Sequence, residues 1–329
     1  MQKLKLEFPE HFFEGEERCD YFISPEMKKV WAVELDLLNE LMSVLDKYGI
    51  KYFAGGGTML GAVRHQGMIP WDDDIDIFMK RSEYEKFVKI ARSGEFKEPY
   101  FWQDHITDPN YLGGPSRLHN SETTAMGRDF LNEKHGTLAE NMGIYVDVFP
   151  LDNIPDDEEE REQWLERISK VARMAWDLRL YTHRGLLRER KDLEWLDFWL
   201  KLTNRPNHLF EEYDSLLSDN AEEKTEKCTI YSFYCRSRFN TTFLYENNDL
   251  ENFVKKPFEM LEVPVPSLYD KILTQTYGNW HQFVRSGSVH ERDGNSLCFD
   301  TDHPYTFYLD PITGIKKELV RKMLFNSTF

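Results

Sequence analysis

The segment Gly55 to Ile77, GGGTMLGAVRHQGMIPWDDDIDI, gathers the residue types that handle phosphates and hard cations. Gly55-Gly56-Gly57-Thr58 follows the apolar run Ile50 to Ala54, which reads as a short buried strand, and precedes Met59 to His65, which reads as a helix start. A glycine turn so placed lets backbone N–H groups approach a phosphate, and the helix N-terminus adds a favourable field. Asp72, Asp74 and Asp76 stand at alternate positions, so an extended backbone over Trp71 to Met79 sets their carboxylates on one face and Ile75 and Ile77 on the other. Like charges so close are unfavourable unless a cation lies between them. A magnesium-type ion, bound by one or two carboxylates and substrate phosphates, meets that need. A solvated acidic edge is the alternative, and the glycine turn upstream weighs against it. Asp147 adds another acid inside the apolar strand Tyr145-Val146-Asp147-Val148-Phe149, where an unpartnered carboxylate is costly. On a neighbouring strand it completes a triad with Asp74 and Asp76, either binding metal or taking the proton of an attacking hydroxyl.

These residues need elements to position them. Val30, Trp31, Val33, Leu37, Leu38, Leu41, Val44 and Leu45 recur at helical spacing over Pro25 to Tyr48, with Ser24 as N-cap and Gly49 as stop. Ser82 caps a second helix to about Ala91, and short strands separated by turns fill Pro99 to Thr124. Ile144 to Phe149 alternates as a strand. The acidic run Asp156 to Glu160 opens helices that reach about Leu217, with breaks near Gly185 and Asn204-Arg205-Pro206. Strands return from Thr229, and a helix follows over Ser267 to Tyr277. The expected organisation is an N-terminal extension (1–24), a catalytic core (25–155), a helical insertion or layer (156–225) and C-terminal strands and helix completing the cleft (226–329).

The chain has 329 residues, and its 41 Lys+Arg against 58 Asp+Glu give a net charge of −17. That balance excludes general attraction to nucleic acid or an anionic membrane, so any phosphate must be held by a local site. No apolar run approaches the ~20 residues that span a bilayer, and the acidic start does not read as a signal peptide. The expectation is a cytoplasmic protein, or one peripheral at the inner membrane face. Cys19, Cys228, Cys235 and Cys298 lack zinc-site spacing and read as free, buried thiols.

The run GGGTMLGAVRHQGMIPWDDDIDI closely resembles the signature of the LicD family of phosphotransferases, which includes bacterial phosphorylcholine transferases and animal fukutin-type ribitol-phosphate transferases. Tyr145 to Asp152, Phe258 to Pro266 and Tyr277-Gly278-Asn279-Trp280 resemble the family's downstream blocks, with Asn279 where Asp is commoner. The resemblance implies an α/β (α+β) nucleotidyltransferase-like fold, a mixed sheet flanked by helices, here with an added helical layer. It makes Gly56, Gly57 and Thr58 the donor-phosphate turn, Asp74 and Asp76 the metal ligands, Asp72 an accessory acid and Asp147 the third carboxylate. Arg64 and His65, in the following helix, would neutralise phosphate charge. The ion implied is Mg2+, with Mn2+ as substitute.

The reaction implied moves a substituted phosphate from a CDP-linked alcohol to a hydroxyl of a cell-surface glycan or glycolipid precursor, releasing CMP without a covalent enzyme intermediate. Phosphocholine leads; ribitol, glycerol and ethanolamine phosphates are alternatives. A nucleotide-sugar glycosyltransferase using Asp-x-Asp and a non-catalytic nucleotide-binding relative are the competing classes. Arg117, Arg285 and His290 are candidates for contact with the donor diphosphate or an anionic acceptor. Tyr52, Trp71, Phe101, Trp102, Tyr145, Trp280 and Tyr305 raise the idea of an aromatic cage for a quaternary ammonium, Trp71 first among them, with ordinary core packing as the alternative.

Overall fold

A computed structural model describes residues 3–108, 111, 116–127, 140–183, 186–205, 207–221, 224–230, 244–284, 297–310 and short pieces up to 322. A hairpin of β1 (Glu16–Arg18) and β2 (Tyr21–Ile23) leads into α1 (Pro25–Lys47). The Ser24 side chain accepts from Met27 N–H at 3.1 Å, with proline at the first helical position, as the capping pattern requires. Trp31, Leu35, Leu38 and Leu45 of this helix lose all solvent contact in the main core.

β3 (Phe53–Ala54) is followed by α2 (Gly56–Leu60), one wider π-helical turn (Gly61–His65) and a left-handed stop at Gln66. The helix begins at the glycines and not at Met59. β4 (Asp76–Lys80) runs directly into α3 (Arg81–Arg92). β5 (Tyr100–Gln103), β6 (Ser116–Asn120) and β7 (Thr124–Gly127) precede the long β8 (Ile144–Asn153).

A mixed seven-stranded sheet is built around β8. Its first part pairs antiparallel with β6 on one side and parallel with β4 on the other; β3 lies outside β4 and β5 outside β6. The end of β8 pairs with β9 (Lys227–Thr229), which pairs with β10 (Leu244–Glu246). Ile144, Val146 and Val148 are fully buried while Tyr145, Asp147 and Phe149 are half-buried, which is the expected alternation. Each such aliphatic side chain contributes roughly 1.5–3 kcal/mol by leaving water. The strand face that buries these residues thereby fixes where Asp147 emerges.

A hairpin of β11 (Phe253–Phe258) and β12 (Leu261–Pro266), then α7 (Tyr269–Tyr277), closes the same core. Between β8 and β9 stand α4 (Glu158–His183), α5 (Lys191–Leu202) and α6 (His208–Ser218), helical elements beyond the core. They have apolar clusters of their own, such as Leu178, Leu193, Leu200, Leu209 and Phe210. Trp195, Phe198 and Trp199 of α5 are exposed. Cys228 and Cys298 are buried free thiols, whereas Cys19 is exposed at positive φ in the turn between β1 and β2, contrary to expectation. Cys235 lies outside the described residues. No helix among those described is long and apolar enough to cross a membrane.

Candidate active site

The glycine turn and the acidic strand are joined by two hydrogen bonds. Gly55 N–H donates to Asp76 O at 2.9 Å, and Asp76 N–H donates to Thr58 Oγ1 at 2.8 Å. Thr58 is buried, so its hydroxyl ties the turn to β4. The turn also touches the carboxylates. A Cβ on Gly56, which has φ +44°, would lie 3.2 Å from Asp76 Oδ2, and one on Gly57 would lie 2.8 Å from Asp72 Oδ2. Any side chain at 57 would therefore displace an acid.

β4 starts at Asp76 and not at Trp71, so the even alternation expected for Asp72, Asp74 and Asp76 is absent. Asp72 to Asp74 form a loop ahead of the strand. Asp72 N–H donates to Ile69 O at 3.0 Å, and Asp72 O accepts from the indole Nε1 of Trp31 at 3.0 Å. In this loop Asp72, Asp73 and Asp74 each offer a carboxylate oxygen, all within 4.8 Å of one another. A strand reading sends Asp73 to the opposite face and so hides it. Asp76 sits beside Asp147 in the parallel register of β4 and β8, and Asp147 N–H donates to Ile75 O at 2.9 Å.

Arg117 stands opposite Asp147 on β6; its Nε donates to Asp147 Oδ1 at 2.8 Å, and its guanidinium lies 3.9 Å from the Tyr145 ring centroid. Burial, then the charges of Asp74, Asp147 and Asp72, push the Asp76 carboxyl well above the usual range, with Arg117 offsetting part of this. Concentrated negative charge is the main electrostatic property of the site.

Arg64 Nη1 donates to Trp280 O at 3.0 Å and Gln282 O at 3.3 Å, and its Nε donates to His65 Nε2 at 2.9 Å. Burial first, then Arg64 and Arg18, lower the His65 pKa to about 4. At neutral pH His65 is an uncharged ring, and Arg64 carries the positive charge of the pair. The Tyr277 hydroxyl lies 4.0 Å from where a Gly56 Cβ would stand, a neighbour of the turn that the block Tyr277-Gly278-Asn279-Trp280 brings in but that residue type does not single out.

Trp71 packs edge-on to Tyr21 and His65, each at 6.1 Å between centroids. Tyr52, Trp102 and Trp280 are buried core residues, Tyr145 lies under Arg117, and Tyr305 packs in a separate small cluster. Phe101 is half-buried on β5. The structure therefore assembles no cage from these seven. Arg285 and His290 lie outside the described residues.

A glycine turn on a helix start, set against carboxylates from a mixed sheet flanked by helices, is an arrangement of the nucleotidyltransferase-like fold class. Residues 49–172 match the family model described as "LicD/FKTN/FKRP, nucleotidyltransferase domain", and this segment of the chain is a LicD-family domain. Over 138 residues the chain is 50% identical to the lipopolysaccharide cholinephosphotransferase LicD of Haemophilus influenzae, covering 40% of this chain and 46% of that protein. The chain thus spans about half the length of that relative. A 37-residue stretch is 46% identical to the ribitol 5-phosphate transferase FKRP of Mus musculus and of Homo sapiens, 11% of this chain and 8% of each.

The donor set suits a hard divalent ion, since it offers carboxylate oxygens, clustered and recessed, with no thiolate or imidazole among the three grouped ligands.

Proposed function

We propose that the chain transfers a substituted phosphate, phosphocholine first among the candidates, from a CDP-linked donor to a hydroxyl of a cell-surface glycan or glycolipid precursor, releasing CMP. The observation that carries this reading is the contact between turn and acids, Gly56 against Asp76 and Gly57 against Asp72. It puts the groups suited to a donor phosphate and those suited to its counter-ion in one place. The name of the Haemophilus relative supports choline as the alcohol and lipopolysaccharide as the kind of acceptor.

Asp72, Asp74, Asp76 and Asp147 would hold Mg2+ or Mn2+, which when bound supplies positive charge to the diphosphate and the departing CMP. The backbone at Gly56 and Gly57 binds the donor phosphate, and Arg64 adds a fixed cation beside the turn. The acceptor oxygen bonds to the phosphorus that carries the alcohol, the bond from that phosphorus to the bridging oxygen breaks, and the electron pair leaves with CMP. Asp147, oriented by Arg117, is the carboxylate best placed to take the hydroxyl proton or to share the ion with Asp76. The helices of 156–225 follow the Asp147 strand directly and are proposed to cover the cleft and select the acceptor. The reaction belongs in the cytoplasm or at the inner membrane face, where such precursors are made.

The test is a screen of CDP-choline, CDP-ethanolamine, CDP-glycerol and CDP-ribitol with Mg2+, reading CMP. CMP from CDP-choline, lost by at least about 10²-fold in Asp76→Asn, is the expected result. Glycoside formation with UDP or GDP release would transfer the chain to the glycosyltransferase class. CMP release unchanged in Asp76→Asn would remove Asp76 from the site.

A further inference from the structure

Three charged residues of α1 are buried: Lys28, Glu34 and Asp36. Two have partners that explain them. Lys28 Nζ reaches Glu16 Oε2 at 2.5 Å, and Asp36 accepts from Lys5 N–H, Leu6 N–H and the Tyr100 hydroxyl, each at 2.7 Å. Glu34 differs. It is 1% exposed, and its Oε2 has no hydrogen-bond partner among the described residues. A buried carboxyl left so stays neutral, its pKa raised well above the usual range by burial and then by the acids around it, unless something else compensates the charge.

Its surroundings show what that is. Glu34 lies one turn beyond Trp31, whose indole holds the Asp72 carbonyl, so this face of α1 forms the wall behind the Asp72–Asp74 loop. The charges that bear on it most are Asp73, Asp74, Asp72 and Asp147, all of them negative. A buried carboxyl oxygen without a hydrogen-bond partner among the described residues thus stands on the helix face behind the loop, under the field of the acids of the candidate site.

Resting on the metal-dependent reading above, we infer that Glu34 supports the cation-binding set: a buried carboxyl behind the Asp72–Asp74 loop that accepts from water bound to a divalent ion, from the α1 side. Glu34 lies outside the segment 49–172 that matches the family model, so the site draws on a helix that precedes that domain.

The test uses the full chain, wild type and Glu34→Gln, with two measurements. One is Mn2+ titration followed by the electron paramagnetic resonance signal of the free ion; the other is thermal unfolding in EDTA. Glu34→Gln should melt in EDTA close to or above the wild-type temperature, because the amide matches the neutral acid that burial favours when no ion is bound. It should bind Mn2+ about tenfold or more weakly. Affinity reduced less than about threefold would overturn the inference. A variant that is unfolded or melts well below wild type in EDTA would also overturn it, since Glu34 would then serve the fold and not the ion. Wild-type protein that binds no Mn2+ would overturn the metal reading of the whole site, whereas unchanged Mn2+ binding in Glu34→Gln removes Glu34 alone.

Discussion

Gly57, in the proposed donor-phosphate turn, sets helix stability against the position of an acid by having one hydrogen in place of a side chain. It stands inside α2 with no positive φ to demand glycine, and alanine there should stabilise the helix by about 0.5–1 kcal/mol. Its Cβ would press on Asp72 Oδ2, the far end of a side chain, so the fold can yield where the site cannot. Gly57→Ala should unfold at or above the wild-type denaturant midpoint while CMP release from the donor falls about 10²-fold. Activity within about twofold of wild type would show that the turn does not set the acids. His119 belongs to the fold more than to the chemistry. Buried, with Nδ1 at 2.9 Å from Gly143 O and Nε2 at 2.7 Å from Gln103 Oε1, its pKa falls from 6.5 to about 3, burial being the main cause. Between those values the unfolded chain takes a proton that the folded chain refuses. The stability tied to His119 is therefore present above pH 6.5 and lost as pH falls toward 3, by about 2 kcal/mol at pH 5. Urea midpoints of wild type and His119→Gln from about pH 7 to 5 check this: the wild-type curve should fall more steeply.

At the scale of elements, what could be read in advance was what local pattern decides. α1 has its cap, proline and apolar spacing written in order, and β8 alternates as a strand must. The start of β4 was not legible, because the alternation of acids with apolar residues from Asp72 to Ile77 looks the same whether the backbone is paired or looped. Trp31, far earlier in the chain, decides it by holding the Asp72 carbonyl. The same long-range dependence hid Asp73 and Glu34, whose surroundings are set by packing and not by spacing. The block Phe258 to Pro266 also acquires its physical reason only in three dimensions. It belongs to the β11–β12 hairpin, and Glu259 in its turn takes both Nη atoms of Arg18 and the Met68 N–H, at 3.1 Å, while its own N–H donates to Gln66 O. One carboxylate thus links the β1–β2 hairpin, the β11–β12 turn and the chain entering the acidic loop. Glu259→Ala should cost about 1–3 kcal/mol, since it leaves the partly buried Arg18 guanidinium with Glu16 alone and strands the Met68 backbone donor. Urea unfolding measures this, and an unchanged midpoint would reduce the contact to a surface pair.

Across the whole molecule, a net charge of −17 coexists with a site proposed to bind a diphosphate. The two are compatible because the acids that matter are concentrated: Asp72, Asp73, Asp74, Asp76, Asp147 and Glu34 bear on one region, with Arg117 engaged to Asp147 within it. Repulsion among exposed acids elsewhere is screened by any salt, over a Debye length of about 10 Å at 0.1 M. Repulsion among recessed carboxylates is screened far less; protons taken up by Asp76 and Glu34 relieve part of it, and an ion small and highly charged enough to sit between the acids removes it. Mg2+ and NaCl should therefore act differently on stability. At a Mg2+ concentration near 100 times its Kd, linkage predicts a gain of about 2.7 kcal/mol. For a chain of this size that corresponds to a rise in Tm of about 4 °C. NaCl at matched ionic strength should give a small part of that rise, and EDTA should abolish the Mg2+ increment. Equal Tm in MgCl2 and in ionic-strength-matched NaCl would mean that the acids are a solvated edge and that no divalent ion is held at the glycine turn.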